Sequence, residues 1–418
     1  MLSALLQTSG LLLCAYVGVL LLADLYLIIV HIRHAKREIA HERAIPILRD
    51  PPAVSVHLAV FNESALVGSA IDSLCALDWP RSRLQILILD DSTDDTVGIA
   101  HARVEHWRAQ GFDIHHVRRP DRTEFKAGAL AAAFERTETP FIAVFDVDYR
   151  PAPSFLRETV AALKAAPRAA FVQARLDFRN SHYNGLTRAQ ALQLDTFFAY
   201  EQAARNWAGI PMTFNGTCGV WRRQAIAEAG GWSGRSLVED QDLSFRAFAR
   251  GWTCRNLVSV TVAGELPEQF SVLAVQRSRW GAGTAQAFKD LPWRLLRHLR
   301  WHQALIFVLL AQFYASVWIV LIGIAACALL TYLLDPVAGI HLVAVFAATI
   351  GFIVVVKSIG ASLANRVVRR RTLWELLVDV GRMWILEAAL LPVIGWALIR
   401  GHLLQNLTFR RTPKTGRS

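Results

Sequence analysis

The stretch Pro140-Phe-Ile-Ala-Val-Phe-Asp-Val-Asp-Tyr-Arg-Pro151 decides the architecture. Its apolar residues 141–145 read as a buried strand that runs straight into Asp146-Val147-Asp148. Working outward, residues 54–60 and 85–89 are two more short apolar strands. Residues 63–76 are amphipathic at helical spacing, and residues 96–110 form another helix. Strands alternating with helices imply an α/β domain with a parallel, doubly wound sheet. In such a sheet ligands bind beyond the carboxyl ends of the strands.

Those ends carry Asn62-Glu63, Asp90-Asp91 and Asp146/Asp148. Gathering carboxylates is costly unless a cation or a substrate compensates, and a divalent metal with a diphosphate would do so. Asp146 and Asp148 lie two apart on an extended segment, so both point the same way and can address one Mg2+ or Mn2+ through oxygen ligands. Asp90 and Asp91 can accept from a base N–H or a ribose hydroxyl, whereas Asp94 and Asp95 are assigned to capping the helix over 96–110. Lys126 in EFKAGAL opens a helix, where a lysine and free N–H groups favour phosphate. Asp240, in LVEDQD, is the candidate base, and Asp242 serves the following helix N-terminus. Gln276, Arg279 and Trp280 share one helix face. The arginine suits a diphosphate and the indole suits a sugar ring.

The chain has 418 residues, 53% of them hydrophobic, and a formal net charge of +11. Mean hydropathy is +0.30, with the apolar residues concentrated at the two ends. The middle, residues 50–285, reads as the globular domain. Residues 3–31 are long enough to cross a bilayer, making residues 1–31 an N-terminal span. The basic stretch 32–43 puts that end, and the domain after it, on the cytoplasmic side of a cell membrane. Residues 286–303 alternate Leu/Trp with Arg/His and suit one amphipathic helix lying in the membrane interface. In the C-terminal membrane region, 304–400, residues 304–333 and 338–356 are two further spans. Residues 373–400 admit one span, a broken helix or a re-entrant hairpin. Charge keeps the basic tail, 401–418, cytoplasmic, whereas four full crossings would put it on the other side; a cytoplasmic C-terminus and an imperfect crossing are adopted. Basic clusters at 31–38, 293–302, 366–371 and 409–417 flank apolar runs, which assigns them to the lipid bilayer and not to nucleic acid. The five scattered cysteines form no CxxC pair, so a zinc site or disulfide framework is not expected.

Taken in order, DDSTD, EFKAGAL, FDVDYRP, FNGTCGVWR, VEDQDLSFRA, ELPEQF and QRSRW resemble the motifs of the family 2 inverting glycosyltransferases of the cellulose synthase superfamily. They look most like the cellulose-synthase-like mannan, glucomannan and xyloglucan-backbone synthases. The resemblance implies a GT-A-type domain with α-helical transmembrane segments. It implies donor contacts from Asn62, Glu63, Asp90, Asp91, Lys126, Asp146, Asp148, Gln276 and Arg279, with the metal on Asp146 and Asp148. Asp240 would be the base. The acceptor would meet Phe214, Asn215, Gly216, Thr217, Glu239 and Trp280. RTPKTG at 411–416 looks like the family's cytoplasmic tail motif. The implied activity is membrane-embedded β-glycosyl transfer from UDP-glucose or GDP-mannose onto a glycan acceptor, building a β-linked polysaccharide. The alternatives are transfer of one sugar to a lipid acceptor, and a non-catalytic subunit that binds nucleotide sugar. The chain departs from the family in reading VED for the common TED, and in a short membrane region.

Overall fold

The computed structural model describes residues 1–311, 313–369 and 371–404, and side chains outside 311–320. The RTPKTG tail lies outside the described residues. The first half of the domain alternates as expected: β1 (Val54–Val60), α1 (Ser64–Cys75), β2 (Leu84–Asp90), α2 (Thr96–Ala109), β3 (Asp113–Val117), α3 (Phe125–Glu135) and β4 (Phe141–Asp146). The second half runs β5 (Arg150–Pro151), α4 (Phe155–Ala165), β6 (Ala169–Phe178), α5 (Gly185–Asp195), a π-helical segment (Thr196–Glu201) and α6 (Gln202–Trp207). It continues through β7 (Gly219–Arg222), α7 (Arg223–Glu228), α8 (Glu239–Ala249), β8 (Thr253–Gly264) and α9 (Phe270–Lys289).

One eight-stranded sheet runs β3-β2-β1-β4-β7-β6-β8-β5. The parallel sheet expected from the sequence holds among β3, β2, β1 and β4 and again between β6 and β8; β7 enters antiparallel between β4 and β6, and β5 pairs antiparallel with β8. β7, four residues long, is too short and isolated to announce its direction. Register aligns the strand ends: Val60 pairs with Asp90, and Ala59 pairs with Asp146. The strand order reverses between β1 and β4, so the ends that carry Glu63 and Asp146/Asp148 flank the crevice that such a reversal opens.

Side chains alternate across this sheet with the strand period of two. Ile86, Ile88, Ala143 and Phe145 enter one core; Leu87, Leu89, Ile142 and Val144 enter the other. That second core also contains Val17, Leu20 and Leu27 of a long N-terminal helix (Leu2–Arg43) and Ile306 and Phe307 near the C-terminal helices. Domain and apolar helices therefore share one packed interior.

The N-terminal helix continues through the basic stretch to Arg43, and Glu42 Oε2 accepts the Ser259 N–H at 2.9 Å. The single amphipathic helix expected over 286–303 is not formed. α9 ends at Lys289, a 3-10 turn covers Trp293–His298, and α10 (Trp301–Ala311) begins afterwards. Pro292 cannot donate to a helical ladder and separates the pieces. The remaining helices are α11 (Phe313–Leu334), α12 (Pro336–Val368) and α13 (Leu373–Leu403). Of the three readings open for 373–400, the structure shows one continuous helix, with Pro392 inside it.

Arg371, with its side chain 1% exposed, bridges Asp195 at 3.1 Å and Asp379 at 3.0 Å. Asp379 also receives Arg188 and Arg382, at 3.0 and 2.9 Å. Removing one partner from a buried ionic network leaves the others uncompensated, so Arg371→Ala should cost about 3–5 kcal/mol of stability. Urea unfolding of the detergent-solubilised protein measures it.

Candidate functional site

A cavity of about 750 Å³ opens at the β1/β4 crevice and continues between the C-terminal helices. Its first part is built by loops at the carboxyl edge of the sheet. Lys126, one residue into α3, reaches across the opening. Its Nζ donates to Asp146 Oδ1 at 2.6 Å and to the Gly216 carbonyl at 2.8 Å, and lies 3.6 Å from Glu239 Oε1. Burial works against the ammonium, but the charges of Asp146, Glu239 and Asp240 outweigh it and hold its pKa above the ordinary lysine value. The turn leading to Lys126 is strained: Glu124 and Phe125 both take left-handed backbone, at φ +58° and +50°. Arg119 fastens that turn by donating to the carbonyls of Thr123 and Phe125 while holding Asp91 through two hydrogen bonds.

Asp240 sits in the first turn of α8, with its Oδ1 accepting the Gln241 N–H at 2.9 Å. Burial first, and the Glu239 charge second, push its carboxyl up to about 7, with Lys126 pulling the other way. The carboxylate faces Gly216, whose φ of +76° and absent side chain are both required: a Cβ there would stand 3.0 Å from Asp240 Oδ2 and 3.5 Å from Lys126 Nζ. The FNGT segment is set by β4 and its surroundings. Thr217 Oγ1 accepts the Asp146 N–H at 2.9 Å, and Asn215 exchanges side-chain hydrogen bonds with Gln202 at 2.8 and 3.1 Å. Phe214 is buried against Phe171 and Trp221, so it anchors the segment from below. α9 presents Gln276, Arg279 and Trp280 to the same cavity, and Arg277 stacks on Trp280 at 4.6 Å while donating to Gln193. Burial lowers the Arg279 pKa against the opposing pull of Glu239, Asp146 and Asp240, which places the guanidinium within the field of all three.

The structure thus brings Glu63, Asp91, Lys126, Asp146, Asp148, the FNGT residues, Glu239, Asp240, Gln276, Arg279 and Trp280 to one cavity wall. It places Asn62 and Asp90 behind that wall. Asp90 is fully buried, accepting from the Ser92 N–H and bonded to His116 Nε2, each at 2.8 Å. Burial opposes its ionisation, but the hydrogen bonds from His116 and Ser92 outweigh it and keep its pKa below the usual carboxylate value. Asn62, at φ +55°, donates its N–H to Ser92 Oγ and accepts the Thr93 N–H, both at 2.8 Å. Both residues lock the two loops together.

Sequence reasoning missed several residues of the wall and of the layer behind it. Arg122 stacks over Phe61 at 3.4 Å beside Asp91. Arg179 pairs with the buried Glu265 at 3.1 Å and donates to the Asp148 carbonyl. The only signal was proximity: Arg122 precedes EFKAGAL and Glu265 opens ELPEQF. Nothing in periodicity marks the π-helical segment that contributes Phe197 and Glu201.

The model of glycosyl transferase family group 2 matches residues 141–356, just over half of the chain. The chain belongs to this family. This glycosyltransferase is 39% identical over 251 residues to glucomannan 4-beta-mannosyltransferase 2 of Arabidopsis thaliana, covering 59% of the chain and 47% of the relative. It is 38% identical over 251 residues to glucomannan 4-beta-mannosyltransferase 1 of Oryza sativa subsp. japonica, covering 59% and 48%. The chain spans about half the length of the curated relatives it matches. Its fold is similar to that of the mannosyltransferase PcManGT from Pyrobaculum calidifontis, solved in complex with GDP-Man and Mn2+. The TM-score is 0.61 at 18% identity, over 91% of this chain and 99% of that one. The expected GT-A-type domain joined to apolar helices is therefore the glycosyltransferase's architecture.

If Asp240 is the base, it must be ionised to accept a proton, and kcat/KM should then rise with pH through an apparent pKa near 7. Glu239 raises that pKa by repelling the ionised form, so Glu239→Gln should move the acid limb to lower pH. A pH–rate profile of both proteins checks the direction.

Proposed function

We propose that this glycosyltransferase transfers a hexose, with inversion, from a nucleoside diphosphate sugar to a glycan hydroxyl. The observation that carries this reading is the meeting of a base poised near neutrality, Asp240, with the cations Lys126 and Arg279 in one cavity. GDP-mannose is the favoured donor, because the relatives are named as mannosyltransferases and the structural neighbour was solved with GDP-Man. Phe61, Arg122 and Asp91 offer a stacking face and a hydrogen-bonding edge for the nucleoside. Asp240 takes the proton from the acceptor hydroxyl. The oxygen attacks the anomeric carbon opposite the leaving group, the bond from that carbon to the diphosphate oxygen breaks, and the electron pair departs with the diphosphate. Lys126 and Arg279 receive that charge. An α-linked donor thus gives a β-linked product.

Asp146 and Asp148 fit a divalent metal. They offer only oxygen donors, lie two residues apart and both line the cavity. Among the described residues no set of three His, Cys, Asp or Glu converges, which suits an ion that completes its shell from phosphate and water, as magnesium does. When bound, Mg2+ or Mn2+ would neutralise charge on the departing diphosphate. The basic residues Arg33, Lys36, Arg37 and Arg43, at the domain end of the N-terminal helix, support a cytoplasmic catalytic domain on a cell membrane.

A second reading, one sugar moved to a lipid-borne acceptor, is favoured by Ile350, Ile353, Val354 and Leu391, which make the far part of the cavity apolar. The test is transfer by membrane-reconstituted protein from GDP-mannose or UDP-glucose with either metal, with products sized and digested by β-mannanase or β-glucanase. A digestible polymer supports the first reading, and a short organic-soluble product the second. Asp240→Asn should cut turnover at least 10²-fold, on the order of what a lost general base costs, while leaving donor affinity nearly unchanged. Isothermal titration with the donor separates the two effects.

A further inference from the structure

Arg277 is a charged member of QRSRW for which the proposed transfer has no task. It is only 8% exposed. Its guanidinium lies over the Trp280 ring at 4.6 Å, three residues along the same helix face. The guanidinium also donates to Gln193 Oε1 of α5 at 2.7 Å. Gln193 in turn donates from Nε2 to Glu387 Oε1 of α13 at 2.5 Å. All four side chains line the cavity. A continuous set of contacts, Glu387 to Gln193 to Arg277 to Trp280, therefore runs from an apolar helix to the ring assigned to the acceptor sugar.

The ends of this relay dictate its polarity. An ionised carboxylate only accepts hydrogen bonds, and a guanidinium only donates them. The amide between them must offer its NH2 to Glu387 and its oxygen to Arg277. Turned over, it would set donor against donor and acceptor against acceptor. One arrangement satisfies both contacts, so the guanidinium is held in one place over the indole. Glu387 sits mid-way along α13, flanked by the buried Leu386 and Leu390. Among the described residues it forms no ion pair, and its hydrogen bond goes to an amide. An acidic side chain kept in an apolar helix and directed at an amide marks a functional contact.

The three helices that carry the relay are locked together. Ala189 of α5, Leu273 and Ala285 of α9, and Leu386, Leu390 and Ile394 of α13 form an apolar cluster separate from the two cores of the sheet. Directly after Trp280, Gly281 lets α9 and α13 approach: a Cβ there would stand 3.4 Å from Ala397 Cβ. The relay therefore bridges a fixed gap. An indole has two faces, and Arg277 covers one of them. The other is left for a sugar ring, while the attraction between cation and ring keeps the indole from turning.

We propose that Glu387 and Gln193 are positioning residues that hold Arg277 against Trp280, and so fix the indole face on which the terminal pyranose of the glycan acceptor packs. This deepens the proposed function and rests on its reading of the site as one that extends a glycan. Binding of the acceptor thereby depends on a side chain from the apolar helix α13, whereas binding of the donor does not.

The test exchanges the polarity of the relay in the full-length protein in lipid nanodiscs. Gln193→Glu sets carboxylate against carboxylate; adding Glu387→Gln restores an acceptor towards Arg277 and a donor across from it. Arg277→Lys keeps the charge but removes the planar group that stacks, and it decides the matter where Gln193→Glu does not fold. Transfer is measured from GDP-mannose or UDP-glucose, whichever the unsubstituted protein uses, onto mannohexaose or cellohexaose. Donor affinity is read by isothermal titration. Gln193→Glu and Arg277→Lys should each raise KM for the hexasaccharide about tenfold, the scale of a lost cation–π contact, with donor Kd held within about twofold. The double variant should bring KM back to within about threefold of the starting value. An unchanged hexasaccharide KM in Arg277→Lys, a matching loss of donor affinity, a fall in kcat alone, or a double variant no better than Gln193→Glu overturns the proposal. An unsubstituted protein that transfers only to lipid, or to nothing, overturns the reading beneath it and the proposal together.

Discussion

Everything in the catalytic part of this molecule depends on one buried ammonium. Lys126 binds Asp146 and the Gly216 carbonyl and lies within reach of Glu239, so it joins β4, the FNGT segment and the start of α8 through a single atom. Without it, three carboxylates would face one another in a partly dehydrated crevice, and their repulsion would open the site. Beside it, burial and the Glu239 charge still push the Asp240 carboxyl up to about 7. The same arrangement therefore divides like groups by environment: Asp146 takes the ammonium directly, and Asp240 is raised towards neutrality.

Around that centre the scaffold is rigid by construction. Asp90 and Asn62 hold the β1 and β2 loops together, Arg119 fixes the turn before Lys126, and Thr217 holds the backbone at Asp146. Wall groups held by a layer of hydrogen bonds need little ordering when a ligand arrives. The shared core between sheet and N-terminal helix extends that rigidity into the apolar helices, so the catalytic domain is no loosely tethered appendage.

Most of the first half of the domain was legible in the sequence because local pattern and tertiary environment agree there. Strands 54–60, 85–89 and 141–145 are buried on both faces and read as apolar runs, and the acids at their ends converge because register aligns Val60 with Asp90 and Ala59 with Asp146. What was not legible depends on long-range packing. Asp90 and Asp91 are neighbours of identical type, yet one turns inward to His116 and the other faces the cavity, a choice set by strand alternation and a histidine distant in sequence. β7 pairs antiparallel because the chain returns after α6, which no local signal records. The run 286–303 has helical spacing but is cut by Pro292, and α13 has the composition of a span while its contacts run along the domain.

The π-helical segment between α5 and α6 has a further meaning for how this sequence can change. There the Gln202 N–H reaches back five residues to the Phe197 carbonyl, so one residue more than an α-helix needs is packed into the turn. Tyr200 within it touches Gly360 of α12 and bonds the Asp24 carbonyl of the N-terminal helix, so both sides of the insertion are pinned. Deleting the extra residue would close the wide turn and draw Tyr200 off the two helices it is pinned to. A change of length here therefore disturbs the seam between domain and apolar helices in a way that no single side-chain substitution does.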